Sequence, residues 1–347
     1  MSSIDVVIPC YRYGRYLRQS VESVLSQGIG DCRVLILDDE SPDDTPQVAR
    51  ALVAEDARVT YRRHTVNQGH IATYNEGIEW CAADYMLLLS ADDYLLPGAF
   101  ARAFELLDAH PAIGLCFGEA IEADEQGMQR RMSVAANFRG EASTVVSGAE
   151  FIRLCADAGS NNIVPTPTAI VRTRLLASLG GYRSDLPHSA DMELWLRLAA
   201  HGQVGIVKAD LAVYRRHAGN MSTAYYEDNR MADLQQRRAA FDGFLASCSA
   251  ALPETVELHR SLMQGLSREA VVQASGAFND NRQALSRRLC DFALELSPDV
   301  RKRLEWKMLA CKRMLGFHTA TALRPVIAQL RATRAKAPRA ADALRAE

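Results

Sequence analysis

Two pairs of adjacent aspartates carry the spacing of a chemical site. Asp38 and Asp39 close the apolar run RVLIL, and Asp92 and Asp93 follow YMLLLSA. Clustered carboxylates repel one another unless a cation or a cationic ligand joins them. A hard divalent cation bridging carboxylate oxygens to a diphosphate is the most economical chemistry for two such pairs on one edge of one sheet. Each pair alone also reads as helix capping, with Ser41 or Asp44 before one helix and Asp93 before the helix opening at Pro97.

Bringing both pairs to one edge requires strands that run in the same direction. IDVVIPC (4–10) is a short β-branched run, and YLRQSVESVLSQ (16–27) follows with apolar residues at helical spacing. The pattern repeats: strand 33–39 and helix QVARALVAE, strand 58–64 and helix IATYNEGIEWCA, strand 85–93 and helix PGAFARAFELLDAH. Four β-α units predict a mostly parallel sheet with helices on both faces, which binds ligands beyond the carboxyl ends of its strands. Farther on, the sequence predicts a strand over 113–123 and a polar stretch to Gly148. A strand and short helix follow within 164–186, then an amphipathic helix over 189–202 with Ser189 as N-cap, and a strand over 211–217. From Tyr225 the pattern is helical, broken near Pro253, Pro298 and Pro325.

The composition of the 347 residues, 48% hydrophobic and 24% charged, excludes a disordered chain, a collagen and a disulfide scaffold. Eight cysteines without a Cys-x-x-Cys give no zinc or disulfide framework, and most read as buried, reduced thiols. No apolar run reaches the length of a membrane span, and the start lacks the pattern of a signal peptide, so a cytoplasmic protein is expected. Charge is uneven. Residues 1–300 hold 28 basic and 39 acidic side chains, and 301–347 hold 12 and 3. Within that basic end, Leu304, Met308, Cys311 and Leu315 recur at helical spacing. This suits peripheral contact of residues 301–347 with the inner face of a membrane or an acidic partner, or packing on the acidic part of the chain before residue 301. No nucleic-acid partner is expected.

The segments VVIPCYRYGRYLRQSVESVLSQ, LILDDESPDDT, NQGHIATYNEGI, LLLSADDYLLPG, SADMELWLRLAAHG and LAVYRRHAGNMS occur in the order seen in inverting family 2 glycosyltransferases. The chain resembles that family over residues 3 to 222. The resemblance implies an α/β GT-A fold, Rossmann-like, as a catalytic domain over 1–224, leaving a helical extension over 225–347. It also implies sugar transfer from a nucleotide diphosphate donor with Mg or Mn, to a glycan or lipid-linked acceptor in surface-polysaccharide assembly.

Carried over by position, Pro9, Cys10 and Tyr11 resemble the stretch that cradles the base, and Asp39 the carboxylate that selects uracil or thymine. Asn67, Gly69 and Asn75 match the loop near the nucleotide. Ser90, Ala91 and Asp92 occupy the Asp-x-Asp metal motif, where Ser90 replaces the first acid. Asp92 remains as metal ligand, with Asp93 and His217 as further candidates. Asp191, in SADMELW, matches the general base; Ala190 replaces the usual preceding acid, and Glu193 is the nearest competitor. Trp195 and Arg215 are candidates for the acceptor or diphosphate. Two other readings stand beside this one: a sugar-phosphate nucleotidylyltransferase, whose glycine-rich loop is missing here, and a non-catalytic nucleotide-sugar or glycan-binding module.

Overall fold

The computed structural model describes residues 2–132, 143–221 and 230–322. Its first strand, β1 (Ile4–Cys10), is buried at all seven positions. This is why it reads as a continuous apolar run rather than an alternating one. It pairs in parallel with β2 (Cys32–Asp38) and β4 (Tyr85–Leu88), and β2 pairs in parallel with β3 (Val59–Arg63). β3 ends the sheet and carries polar, exposed residues accordingly.

The helices α1 (Gly14–Leu25), α2 (Thr45–Glu55), α3 (His70–Trp80) and α4 (Ala99–Ala109) alternate with these strands. Each presents an apolar stripe to the sheet, as Leu17, Val21 and Val24 do in α1. α3 approaches β1 so closely that a Cβ on Gly77 would meet Val7. Of the two expected caps of α2, Asp44 occupies the N-cap position without a side-chain capping bond. Asp43 supplies the side-chain contacts there, accepting from Thr45 N and Oγ1 and from Gly14 N at the start of α1.

Beyond β4 the sheet becomes mixed. The short β5 (Tyr94–Leu95), β6 (Ile113–Asp124), β7 (Gln129–Met132), β8 (Ser143–Val146), β9 (Ile170–Arg172) and β10 (Gln203–Arg216) complete it. The order is β3-β2-β1-β4-β9-β6-β10-β5, with β7 on β6 and β8 on β10. β9 runs antiparallel between β4 and β6. The polar stretch before Gly148 thus contains two strands, and residues 133–142 lie outside the described residues. β10 begins at Gln203, eight positions before the expected 211, because register shifts around Val207, Asp210 and Ala212 break the alternation that marks a strand in sequence.

α5 (Gly148–Asp157), α6 (Thr173–Leu179) and α7 (Ala190–His201) follow, with Gly180 at φ 82° ending α6. Ser189 occupies the N-cap position of α7 without a side-chain capping bond. The compact unit holding the sheet extends to Met263, past the expected boundary at 224. Within it, α8 (Arg230–Cys248) packs on α7. The second unit, from Gln264, holds helices Gln283–Leu296 and Leu304–Leu315. There Arg268 pairs with Glu305, Lys312 bonds Ser275 and Asn279, and Arg313 bonds Ser286. Pro325 lies outside the described residues.

Candidate active site

The loops after β1, β2 and β4 border a cavity of about 590 Å³ lined by Pro9, Tyr11, Asp39, Asn67, Gly69, Ser90 and His217, among others. Tyr11 is 43% exposed, so its ring is free to stack rather than packed against the next helix. Two loop residues, Arg12 and Glu40, hold φ of 65° and 64°. Such left-handed backbone is costly outside glycine and persists where the surroundings enforce it. Here Arg12 N donates to Ser41 Oγ, and the Glu40 carboxylate accepts from Asn67 N. Gly69 has φ 83° and needs its freedom for the turn into α3.

Asp39 is the centre of this lobe. Its Oδ1 accepts from His64 Nδ1 and Gln68 N, both at 2.7 Å, and its Oδ2 from Gly69 N at 2.9 Å. A carboxylate offers about four acceptor positions, so a ligand N–H finds one left on Oδ2. Asn67 ties the loop from the other side through Nδ2 to the Asp39 carbonyl at 3.0 Å. The second ring nitrogen of His64 meets Glu76 Oε2 at 2.8 Å. Burial opposes charge on His64, but the bonds to Asp39 and Glu76 prevail and raise its pKa above the ordinary histidine value. Asp38 belongs to the scaffold: it accepts from Ser41 N and Tyr61 Oη and pairs with Arg63.

A second lobe of about 390 Å³ shares Tyr13, His70, Tyr74 and Ser90 with the first. Asp92 lies on its wall. Its Oδ2 accepts from His217 Nε2 at 3.1 Å and Asn220 Nδ2 at 3.2 Å, and its buried Oδ1 has no hydrogen-bond partner among the described residues. Buried carboxylate oxygens are rarely left so, and this one suits a cation. Among the described residues no three His, Cys, Asp or Glu side chains converge as a metal cage. A cation held here would therefore rest on Asp92 and on ligand oxygens.

His217, expected as a further ligand, meets Asp92 directly. Gly219 N donates to its Nδ1, so Nε2 carries the proton and points it at Asp92. Tyr16 stacks on the ring at 5.3 Å and Tyr13 meets it edge-on at 5.4 Å. The histidine holds Asp92 in place. Asp93 does not cap α4, whose N-cap is Gly98. It accepts from Arg215 N at 2.9 Å, and burial together with the neighbouring Asp92 charge raises its pKa well above the usual aspartate value.

Asp191, at the first turn of α7, faces the same lobe. Its Oδ2 accepts from Asn162 Nδ2 at 2.8 Å and from Thr166 Oγ1 at 3.4 Å, and its Oδ1 from Met192 N at 2.7 Å. Burial raises its pKa, against the pull of Met192 N–H and the charge of His188. Such a carboxylate is a stronger base than an exposed one. Glu193 is not its rival, being fully buried and paired with Arg197, which also bonds three carbonyls at 179–181.

Four expected positions fall elsewhere. Ala91 is fully buried in the core. Asn75 bonds both the N–H and the carbonyl of Tyr182, clamping α3 to the loop before α7 instead of facing the nucleotide cavity. Trp195 is 4% exposed and lines neither lobe, because α7 is buried on nearly every side. Arg215 bonds the Asp92 carbonyl and Gln19, between the rings of Tyr16 and Tyr94, so its charge is committed to the scaffold.

Residues that sequence reasoning passed over also line the second lobe: Asn162, Thr166, His188, Asp233 and Arg237. The polar run SNN before TPT and the histidine three positions before Asp191 were the available signals. Asp233 and Arg237 resemble an ordinary surface pair at i,i+4 spacing.

A cleft at the carboxyl edge of an α/β sheet, with one lobe built around a fixed acceptor and another around two buried carboxylates, has the placement and polarity of a ligand-binding site of an α/β enzyme. The glycosyl transferase family 2 model matches residues 5–179, and the chain belongs to that family. It is a glycosyltransferase, which removes the nucleotidylyltransferase and the non-catalytic module. Among solved structures, it is similar to TarS 1–349 of S. aureus in complex with UDP-GlcNAc, with TM-score 0.57 and 16% identity over 86% of this chain and 92% of that one. It is also similar to the mannosyltransferase PcManGT of Pyrobaculum calidifontis in complex with GDP-Man and Mn2+, with TM-score 0.52 and 14% identity over 93% and 84% of the two chains. Both share the GT-A fold. A Campylobacter jejuni relative, GalNAc(5)-diNAcBac-PP-undecaprenol beta-1,3-glucosyltransferase, is 25% identical over 134 residues, 38% of this chain and 43% of that one.

Proposed function

We propose that this glycosyltransferase takes a sugar from a UDP- or dTDP-linked donor and transfers it, with inversion, to a hydroxyl of a glycan or lipid-linked acceptor. The observation that carries the reading is the placement of Asp191 and Asp92 on one lobe that borders the Asp39 lobe. Tyr11 stacks on the base, and the remaining Asp39 Oδ2 position accepts the imide N–H of uracil or thymine. Asp191 takes the proton from the acceptor hydroxyl as its oxygen attacks the anomeric carbon. A single displacement follows, with no covalent enzyme intermediate. Asp92 Oδ1 would hold Mg or Mn, which supplies charge stabilisation for the departing diphosphate when bound. The Mn2+ named with PcManGT and the lipid-linked acceptor named for the Campylobacter relative support these parts by analogy.

The decisive measurement is nucleotide release from UDP-, dTDP- and GDP-sugars with Mg or Mn. Turnover with GDP-sugars alone would refute the role given to Asp39.

The setting belongs to the same proposal. Among the described residues no helix is long and apolar enough to cross a membrane. The helix Leu304–Leu315 exposes Leu304, Met314 and Leu315 beside the basic run Arg301 to Arg303. This supports peripheral binding to an anionic lipid surface from the cytoplasmic side, with residues 323–347 outside the described residues. The full chain should float with anionic liposomes at low salt and not with neutral ones; failure to float with either removes the membrane role.

A further inference from the structure

We propose that Asp233 and Arg237, on α8 and beyond the segment matched by the family model, are positioning residues for the Asp191 carboxylate, acting through His188 and the loop 160–162. The inference rests on the reading of Asp191 as the general base.

Two chains of contact join α8 to that carboxylate. Asp233 Oδ1 accepts from His188 Nε2 at 3.0 Å, and His188 N donates to Gln236 Oε1 at 3.2 Å. Residue 188, three positions before the base, is thus held by ring and backbone together. On the other side, Asp233 Oδ2 pairs with Arg237 Nη2 at 3.1 Å. Arg237 Nη1 donates to Ser160 O at 3.2 Å and to Asn161 Oδ1 at 2.6 Å. The next residue, Asn162, donates to Asp191 Oδ2. Asp191 therefore lies between two segments tied to one turn of one helix.

Burial separates this pair from a surface one. Asp233 is 7% and Arg237 5% exposed, and both border the lobe that holds Asp191. An exposed i,i+4 pair contributes little, whereas removing one member of a buried pair strands the other charge. The pair therefore holds its geometry firmly.

His188 also acts on the base through its charge, opposing the burial that strengthens Asp191 as a proton acceptor. Tyr182 flanks Asp191, and Tyr74 and His70 share the lobe from α3. Asp92 and Asp93 enter from the β4 loop, and Asp233 and Arg237 from α8. Of these cationic groups, Arg237 is balanced by Asp233, and His188 is the one whose charge is felt at Asp191. Loosening His188 makes Asp191 harder to ionise.

The test is Asp233→Asn in the full chain, with kcat and donor KM followed from about pH 5 to 9. We expect kcat to fall roughly 10- to 100-fold through lost positioning and donor KM to stay within about two-fold; because this variant also leaves Arg237 unbalanced, the acidic limb is read in His188→Gln. His188→Gln should lower kcat and move the acidic limb to higher pH, the double variant should add little to the loss of kcat, and Asp233→Glu should restore part of that loss. Should Asp233→Asn be recovered unfolded, His188→Gln carries the same test. A kcat that stays near wild type in Asp233→Asn, or an unmoved limb in His188→Gln, with Asp191→Asn strongly impaired, overturns the proposal. If Asp191→Asn itself keeps its kcat, the general-base reading has failed first, and the two failures are thereby told apart.

Discussion

The two lobes treat their carboxylates in opposite ways. Asp39 is fixed by three N–H donors, two of them backbone amides of the loop that it organises. Asp191 is held by two side-chain donors, Asn162 and Thr166, and by the amide next to it, and burial raises its proton affinity. A group that recognises a ligand gains from being immobile, since each donor it has already met lowers the cost of ordering it. A group that must accept a proton gains from an environment that makes the proton welcome. One sheet edge supplies both environments, because the loops after β1 to β3 enclose the first and α7 with the 160–166 segment encloses the second.

The sharpest break in this arrangement lies between the lobes. Among the described residues Asp92 Oδ1 is buried without a partner, and replacing the residue removes the oxygen on which a cation would rest. Asp92→Ala should abolish measurable turnover, while Ser90→Ala, which keeps that oxygen, should lose only a few-fold, roughly. Full activity in excess EDTA would contradict the metal role. His217 and Asn220, which hold Oδ2, should tighten this dependence rather than replace it.

The comparison itself is tested by two variants that ought to fail differently. Asp191→Asn preserves shape but cannot accept the proton, so kcat should fall about 10²- to 10⁴-fold with donor affinity nearly unchanged. In the wild type the acidic limb of kcat should lie above the ordinary carboxylate range, with activity lost as pH falls and the base becomes protonated. Asp39→Ala should instead weaken binding of the pyrimidine nucleotide by about 1 to 3 kcal/mol, with a smaller effect on kcat once donor is saturating. A rate near wild type for Asp191→Asn together with a dead Glu193→Gln would place the base two residues later, against the burial of Glu193 beside Arg197.

The first lobe was legible in sequence for a physical reason. Parallel strands buried on both faces must be apolar throughout, so IDVVIPC, RVLIL and YMLLL announce themselves, and the residues just past them fall at the ligand edge. The second lobe offers no such ruler. α7 is buried from Met192 to Ala200, so its period could not tell the face of Asp191 from that of Trp195. β10 hides its first half behind register shifts, and Arg215 and Asn75 are polar side chains spent on backbone groups that only the fold brings near. Asp233 and Arg237 were hidden differently: their spacing is that of any solvated helix pair, and burial alone gives them meaning.

The smallest effect expected concerns His64, which links the two properties being compared because it is a titrating group placed behind a recognition group. With Asp39 on Nδ1 and Glu76 on Nε2, the ring satisfies both carboxylates only when both nitrogens carry protons. Its pKa is raised in the folded chain, so the stability it adds is complete below the unfolded histidine value and is lost as pH rises through the folded value. Past that point one carboxylate faces a lone pair and Asp39 is held less firmly. Donor KM should therefore rise roughly 2- to 10-fold as pH is raised through the transition, the equivalent of one ordinary hydrogen bond, while the acceptor KM stays level. His64→Gln keeps a donor to one side only, and should show the raised donor KM at every pH and a Tm that no longer declines over that interval. A wild-type donor KM that stays flat through the alkaline loss of stability would mean that His64 supports the fold of the β3 to α3 loop without steadying Asp39 for the nucleotide.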